Sequence, residues 1–355
     1  MSVPRRLSGL RRSGRRGRSA RQGRRDARAR ALGRGRRAAR SGRRPLRSAG
    51  RCAARAVSTP SDPLRDKLRR ILPPSAPGVV PAPRARLSPE LPSALVEQRN
   101  EHGAYLARTT RFEAAHRHGE LALAAIEHAR AGDLALVARD PALAGLDPRA
   151  GLFLDIETNG LQGGAGGIAF LVALGEYRDG AFELWQGFLQ GPAEERALLA
   201  DVERRIRAAP HVVTFFGKSF DRHRLEDKLR YHGLPTPFAD KPHLDLYWPC
   251  RRLYGAGLPN GRLSTMEREL LGVAREDDLP GSMAPAAWLD FLAGRAHRLE
   301  QVFAHNRDDL LSLVGLVAHV GRASEGAYAD GTPLRGDAEL RARALLQLQS
   351  KRRRR

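Results

Sequence analysis

The sequence predicts an α/β fold, a mixed sheet with helices packed around it. Three observations predict it. Three apolar segments follow one another over residues 152–189. Helix and strand patterns then alternate up to residue 232, and a long helical pattern covers residues 299–320.

Each element has its own signal. Leu152 to Ile156 is a short apolar strand. Ile168 to Tyr177 and Ala181 to Leu189 read as two more strands, joined by the turn Arg178-Asp179-Gly180. Pro192 to Ala208 reads as a helix, with proline near its first turn and acids after it. His211 to Phe216 is a fourth strand, and Ser219 to His232 a helix that stops at Gly233. Leu244 to Leu246 is a short fifth strand, followed by helical segments. Residues 96–140 carry mixed helical and turn signals and are expected to pack on this unit as an accessory. Their His116-Arg-His118 pair has no further ligand at zinc-like spacing and reads as surface or packing histidines.

The net charge of +23 is not spread evenly. Residues 1–55 hold 21 arginines and one acid, Asp26, and the chain ends in KRRRR. The remainder, residues 56–350, carries −2. Phosphate affinity that is salt-dependent and sequence-independent is therefore expected of the tails and not of the folded body. Residues 1–55 lack the apolar content that would offset ordering entropy and are read as disordered. Three accounts of this tail compete: a nucleic-acid-binding arm, a transit peptide, or a start placed too far upstream. No methionine lies between Met1 and Met266, and Val57 could mark a later start. Residues 59–95 are proline-rich linker with a short helix around Leu64 to Leu72. The full division is a tail at 1–58, linker at 59–95, accessory segment at 96–150, catalytic domain at 151–322, and a C-terminal helix with basic tail at 323–355.

Two cysteines, Cys52 and Cys250, make no disulfide framework and fit a reducing, cytoplasmic setting. No segment approaches the roughly 18 apolar residues of a membrane span, and no apolar core of a secretory signal follows the basic N-terminus.

The chemistry lies in the acids. Asp155 and Glu157, in FLDIETNGL, are two apart on an apolar strand and share one face. Solvated acids at a surface strand end would be the bland account, but unpaired acids on a buried strand are costly. Asp221 closes VTFFGKSFD, where a helix-start acid stabilised by the dipole is the plain alternative. His305 and either Asp308 or Asp309 follow in HNRDDLLSL, and His305 and Asp309 stand four apart on one helix face. A helix-capping histidine among surface acids competes with a catalytic one. An oxygen-rich cluster of this kind suits magnesium or manganese. Two such ions clamp the attacking and leaving oxygens of a phosphodiester. The chain thus reads as a metal-dependent nuclease.

Asp245 in HLDL is either an orienting group, a metal ligand or structural. Lys218, Arg251 and Arg252 are candidate phosphate contacts, weighed against ordinary surface cations. Glycines 163, 164, 166 and 167 precede a strand and not a helix, so the dinucleotide fingerprint fails.

The ordered strings FLDIETNGLQGGAGGIAFLVALG, VTFFGKSFD, HLDLYWPCRRL, LGVAREDDLPG and HNRDDLLSLVGL resemble the DnaQ-like, DEDD-type exonucleases of the ribonuclease H-like superfamily. Within that group they resemble the YprB-type domain, from about Gly151 to Val320. The resemblance implies a ribonuclease H-like fold and a 3′→5′ exonuclease acting on single-stranded ends of DNA or RNA. It implies Asp155, Glu157, Asp221 and Asp309 as ligands of two Mg²⁺ or Mn²⁺ ions, with Asp309 preferred to Asp308 by register. It makes His305 the general base, where a related branch has tyrosine. One departure stands out: the family often has Asn where this chain has Phe216. A nucleic-acid-binding module with little or no catalysis is the competing function.

Overall fold

The computed structural model describes residues 90–160, 166–275 and 279–353. The basic tail at 1–58, most of the linker, and Gly163 and Gly164 lie outside them. The described chain opens with a hairpin of β1 (Val96–Asn100) and β2 (Gly103–Phe112). A small pair, β3 (Arg117–His118) and β4 (Leu121–Ala122), and helix α1 (Ala131–Ala138) follow. Then come β5 (Leu152–Thr158), β6 (Ala169–Arg178) and β7 (Ala181–Phe188), an antiparallel meander. Helix α2 (Glu195–Ala208) leads to β8 (Val212–Thr214), and α3 (Asp221–Tyr231) to β9 (His243–Asp245). Both of these strands run parallel to β5. The order across the sheet is β1-β2-β7-β6-β5-β8-β9.

The expected mixed α/β sheet is therefore present, with two strands more than the sequence suggested. Residues 96–112 are part of the sheet, where mixed helical and turn signals were read. The edge strand β1, VEQRN, is almost fully exposed and charged, so it carries no apolar alternation to betray it. Charge on an edge also blocks unwanted pairing. At the other end of the meander, β8 stops at Thr214, short of the expected Phe216. Phe216 has φ +62°, and a left-handed residue cannot continue a strand. The helix expected over 192–208 begins as a 3₁₀ turn, Pro192–Glu194, before α2.

The sheet is covered on both faces, which is why β6 reads as an unbroken apolar run, AFLVALG. On one face Leu152, Leu154 and Ile156 of β5 meet Leu198, Leu199, Val202 and Ile206 of α2. Phe170 stacks on Trp288, ring centroids 5.1 Å apart, and the Trp288 indole donates to Leu189 O at 2.9 Å. On the other face Phe153 and Phe182 join Leu253, Leu270 and the second half of the long helix. Each such fully buried side chain contributes about 1.5–3 kcal/mol. The remaining helices are α4 (Tyr247–Tyr254), α5 (Leu263–Met266), α6 (Ala284–Leu292), α7 (Leu299–Val320) and α8 (Ala338–Arg353). A π-helical turn, Glu267–Leu271, continues α5. Helix α7 coincides with its expected span. Among the described residues no helix is long and apolar enough to cross a membrane.

Candidate metal centre

The two faces of β5 divide its labour. Leu152, Leu154 and Ile156 enter the core, so Asp155 and Glu157, two apart, point the other way with partial exposure. The long helix α7 crosses that face. Its Asn306 donates to Asp155 Oδ2 at 2.7 Å. The amide is oriented by Gln186 of β7, whose Nε2 donates to Asn306 Oδ1 at 2.9 Å. With its oxygen engaged in this way, Asn306 presents its NH₂ to the carboxylate. Arg108 in turn donates to Gln186 Oε1 at 3.0 Å. A relay thus runs from β2 through β7 and α7 to Asp155.

Asp221 is the first residue of α3 and is buried. Burial pushes its carboxyl up to about 8, aided by the charges of Asp245 and Asp309. Asp155 is likewise held well above the usual carboxylate range by burial, then by Asp309, Asp221 and Glu157. The Asn306 hydrogen bond opposes that rise. The four predicted acids therefore share one electrostatic neighbourhood, drawn from β5, α3 and α7.

Asp309 and His305 lie one turn apart on α7, with His305 Nε2 3.7 Å from Asp309 Oδ2. Asp308 is engaged instead by its neighbour Arg307, at 2.7 Å. Arg275 enters between the acids. Its guanidinium pairs with Asp309 and with Glu267 and lies 3.1 Å from His305 Nδ1. Burial alone would lower the Arg275 pKa, but Asp309 and Glu267 raise it instead. Glu267 is itself buried and accepts from Ser312 Oγ at 2.5 Å. His118 Nε2 completes the chain on Ser312 Oγ at 2.7 Å. Burial pushes this histidine down to about 4, so it is neutral at pH 7. A cavity of about 520 Å³ opens beside His305, bordered by Arg117, His118, Arg275 and Asp308.

The donor set fits a hard divalent ion. Carboxylates raised first by burial and then by one another's charge are ionised more readily beside a cation, and a guanidinium already serves Asp309 in that role. Among the described residues no three His, Cys, Asp or Glu side chains stand close enough to form a finished cation cage. The acids are neighbours, and Arg275 takes part of the space at Asp309.

Asp245 is placed differently. Its Oδ1 accepts from Phe216 N at 2.7 Å and Tyr247 N at 3.2 Å, and its Oδ2 accepts from Lys218 N at 3.1 Å. It ties two loops together beside Asp221. Lys218 is exposed, with Nζ 3.9 Å from Asp140 Oδ2. Arg251 and Arg252 bond to the carbonyls of Gly255 and Val137.

Sequence reasoning missed Glu267, Arg275, Asn306 and Gln186. Arg275 lies in the string LGVAREDDLPG and Asn306 in HNRDDLLSL, so position within a motif was the available signal. Glu267 and Gln186 had none.

The profile of the RNase_H superfamily matches residues 152–321. Over 173 residues the chain is 33% identical to the uncharacterized protein YprB of Bacillus subtilis (strain 168). That match covers 48% of this chain and 41% of YprB, so the chain spans about two fifths of its relative. A family B DNA polymerase from Pyrobaculum calidifontis is 16% identical with a TM-score of 0.38, covering 57% of this chain and 29% of the polymerase. The matched region holds β5 to α7 and all four acids, so residues 152–321 match the RNase_H superfamily and are similar to YprB over that stretch.

Proposed function

We propose that the chain is a metal-dependent nuclease that hydrolyses phosphodiester bonds. The observation that carries this is the crowding of acids from three elements: burial, then Asp309, Asp221 and Glu157, raise Asp155, and burial, then Asp245 and Asp309, raise Asp221. Burying like charges is costly unless a cation neutralises them. Asp155, Glu157, Asp221 and Asp309 would hold two Mg²⁺ or Mn²⁺ ions. When bound, such ions supply Lewis-acid stabilisation of the charge that develops on the phosphoryl oxygens.

The chain's own residues do the rest. Asn306 and Gln186 fix Asp155 in one orientation. His305 takes a proton from the attacking water as general base. Its Nδ1 lies 3.1 Å from the Arg275 guanidinium, which can only donate, so Nδ1 is the accepting nitrogen and takes the proton once that contact opens. Arg275, itself held by Glu267, pairs with Asp309 beside His305. The finer reading is a 3′→5′ exonuclease on single-stranded DNA or RNA ends, with residues 151–322 as the catalytic unit. A cytoplasmic setting accords with Cys250, a buried free thiol. One observation favours the competing reading, a binding module with weak catalysis: Arg275 already pairs with Asp309.

End-labelled oligonucleotides incubated with and without manganese decide between the two. Cleavage that requires manganese and vanishes in Asp155→Ala is expected. An Asp155→Ala protein that cuts at the wild-type rate would sink the assignment.

A further inference from the structure

We infer that Phe216 and Trp248 form a platform on which unpaired bases of a single nucleic-acid strand stack beside the acid cluster. The inference rests on the nuclease reading and deepens it by naming how the strand is held.

Four aromatic rings gather where β8 and β9 end. Phe215 and Phe216 follow β8, and Tyr247 and Trp248 open α4. The Tyr247 ring lies 4.9 Å from Phe216, 5.0 Å from Trp248 and 5.7 Å from Phe215. Tyr247 is the buttress: it is half-buried, and a Cβ at Gly261 would come within 2.8 Å of its ring. Phe216 and Trp248, each packed on it, are 43% and 49% exposed. Apolar burial does not explain two large rings left in water.

The backbone says that Phe216 is held there. Its φ of +62° is a conformation that bulky L-residues rarely adopt. The Asp245 carboxylate fixes it by accepting from Phe216 N, Lys218 N and Tyr247 N together. One buried acid therefore clamps both ring-bearing loops.

Position decides the occupant. A Cβ at Gly217, the residue after Phe216, would fall 2.7 Å from Asp221 Oδ2. The loop that carries Phe216 thus abuts Asp221, one of the acids that would hold a metal ion. Lys218, exposed on the same loop, adds a cation for phosphate. Aromatic faces beside a cation are how single strands are held without sequence preference, since every base offers a π-face. Paired bases keep their faces covered by their neighbours, so a duplex would not gain this contact.

The test uses the full chain and two fluorescent oligonucleotides of equal length, one unmodified and one abasic over its last three 3′ positions. Binding is measured in calcium buffer. Phe216→Asn removes the ring with a residue that tolerates the left-handed backbone, and Trp248→Ala removes an exposed one. Each should weaken binding of the unmodified strand roughly tenfold and leave binding of the abasic strand at the wild-type level. If both strands weaken equally, or neither does, the rings do not hold bases and the inference falls. Manganese-dependent cleavage by the wild-type protein in that case would leave the nuclease reading standing. A wild-type protein that neither binds nor cuts any oligonucleotide would overturn both.

Discussion

Asp221 shows what a single carboxyl can report. Its pKa stands near 8 in the folded protein, raised by burial and by Asp245 and Asp309, against about 3.9 in an unfolded chain. A group whose pKa is raised by folding favours the folded state in its protonated form. That stabilisation is complete below the unfolded value and is lost as pH rises through about 8. Thermal unfolding in EDTA should therefore show stability falling from about pH 4 to pH 8, and Asp221→Asn should flatten the fall. A pH profile identical to wild type would mean that the site carries no such cost. His305 makes a kinetic prediction. His305→Ala should lower turnover by about 10²–10⁴-fold with substrate affinity little changed. Loss of affinity at normal turnover would instead make His305 a substrate contact. Phe216 is the residue at which this chain departs from the family it resembles. Asn tolerates φ above zero, whereas phenylalanine accepts strain there, and the ring must earn its place through contact.

At the scale of elements, the segment from the π-helical turn to Arg275 matters most. It delivers Glu267 and Arg275 to α7, where Arg275 pairs with both Glu267 and Asp309. The Arg275 side chain is 11% exposed, so this is a buried ion pair. Breaking one by removing a partner costs about 3–5 kcal/mol, because the remaining charge is left uncompensated. Arg275→Ala should lower the melting temperature accordingly, and added manganese should restore part of the loss by supplying a new counter-charge. Thermal melts with and without manganese measure both effects. An unchanged melting temperature in EDTA would show that Asp309 and Glu267 do not depend on the guanidinium.

For the whole molecule, charge is divided between tail and body. Residues 1–55 carry 21 arginines against one acid, while residues 56–350 are close to neutral. Each phosphate neutralised on a single strand contributes about −0.7 to the slope of log affinity against log salt. Deleting residues 1–55 should make that slope shallower and leave cleavage of saturating substrate near normal. Binding titrations over a range of salt give the slope directly. An unchanged slope would show that the tail does not engage nucleic acid.

The sequence by itself determined what depends on local periodicity. A two-residue repeat placed Asp155 and Glu157 on one face of β5, and a four-residue repeat placed His305 and Asp309 on one face of α7. The apolar runs located β5, β6 and β7, and the long helix was legible from end to end. The tertiary structure alone decided what depends on chain-distant neighbours. Asn306 meets Asp155 across 151 residues, Gln186 meets Asn306 across 120, and Arg275 meets Asp309 across 34. The hairpin of β1 and β2 was hidden for a related reason. A charged edge strand has no apolar alternation, and only its partner strand defines it. Side-chain direction along one element is fixed by backbone geometry, but which elements meet is fixed by how the two sheet faces bury their apolar surface. For that reason the acids could be read from the chain, while the arginine, the amide relay and the exposed rings beside them became visible only in the fold.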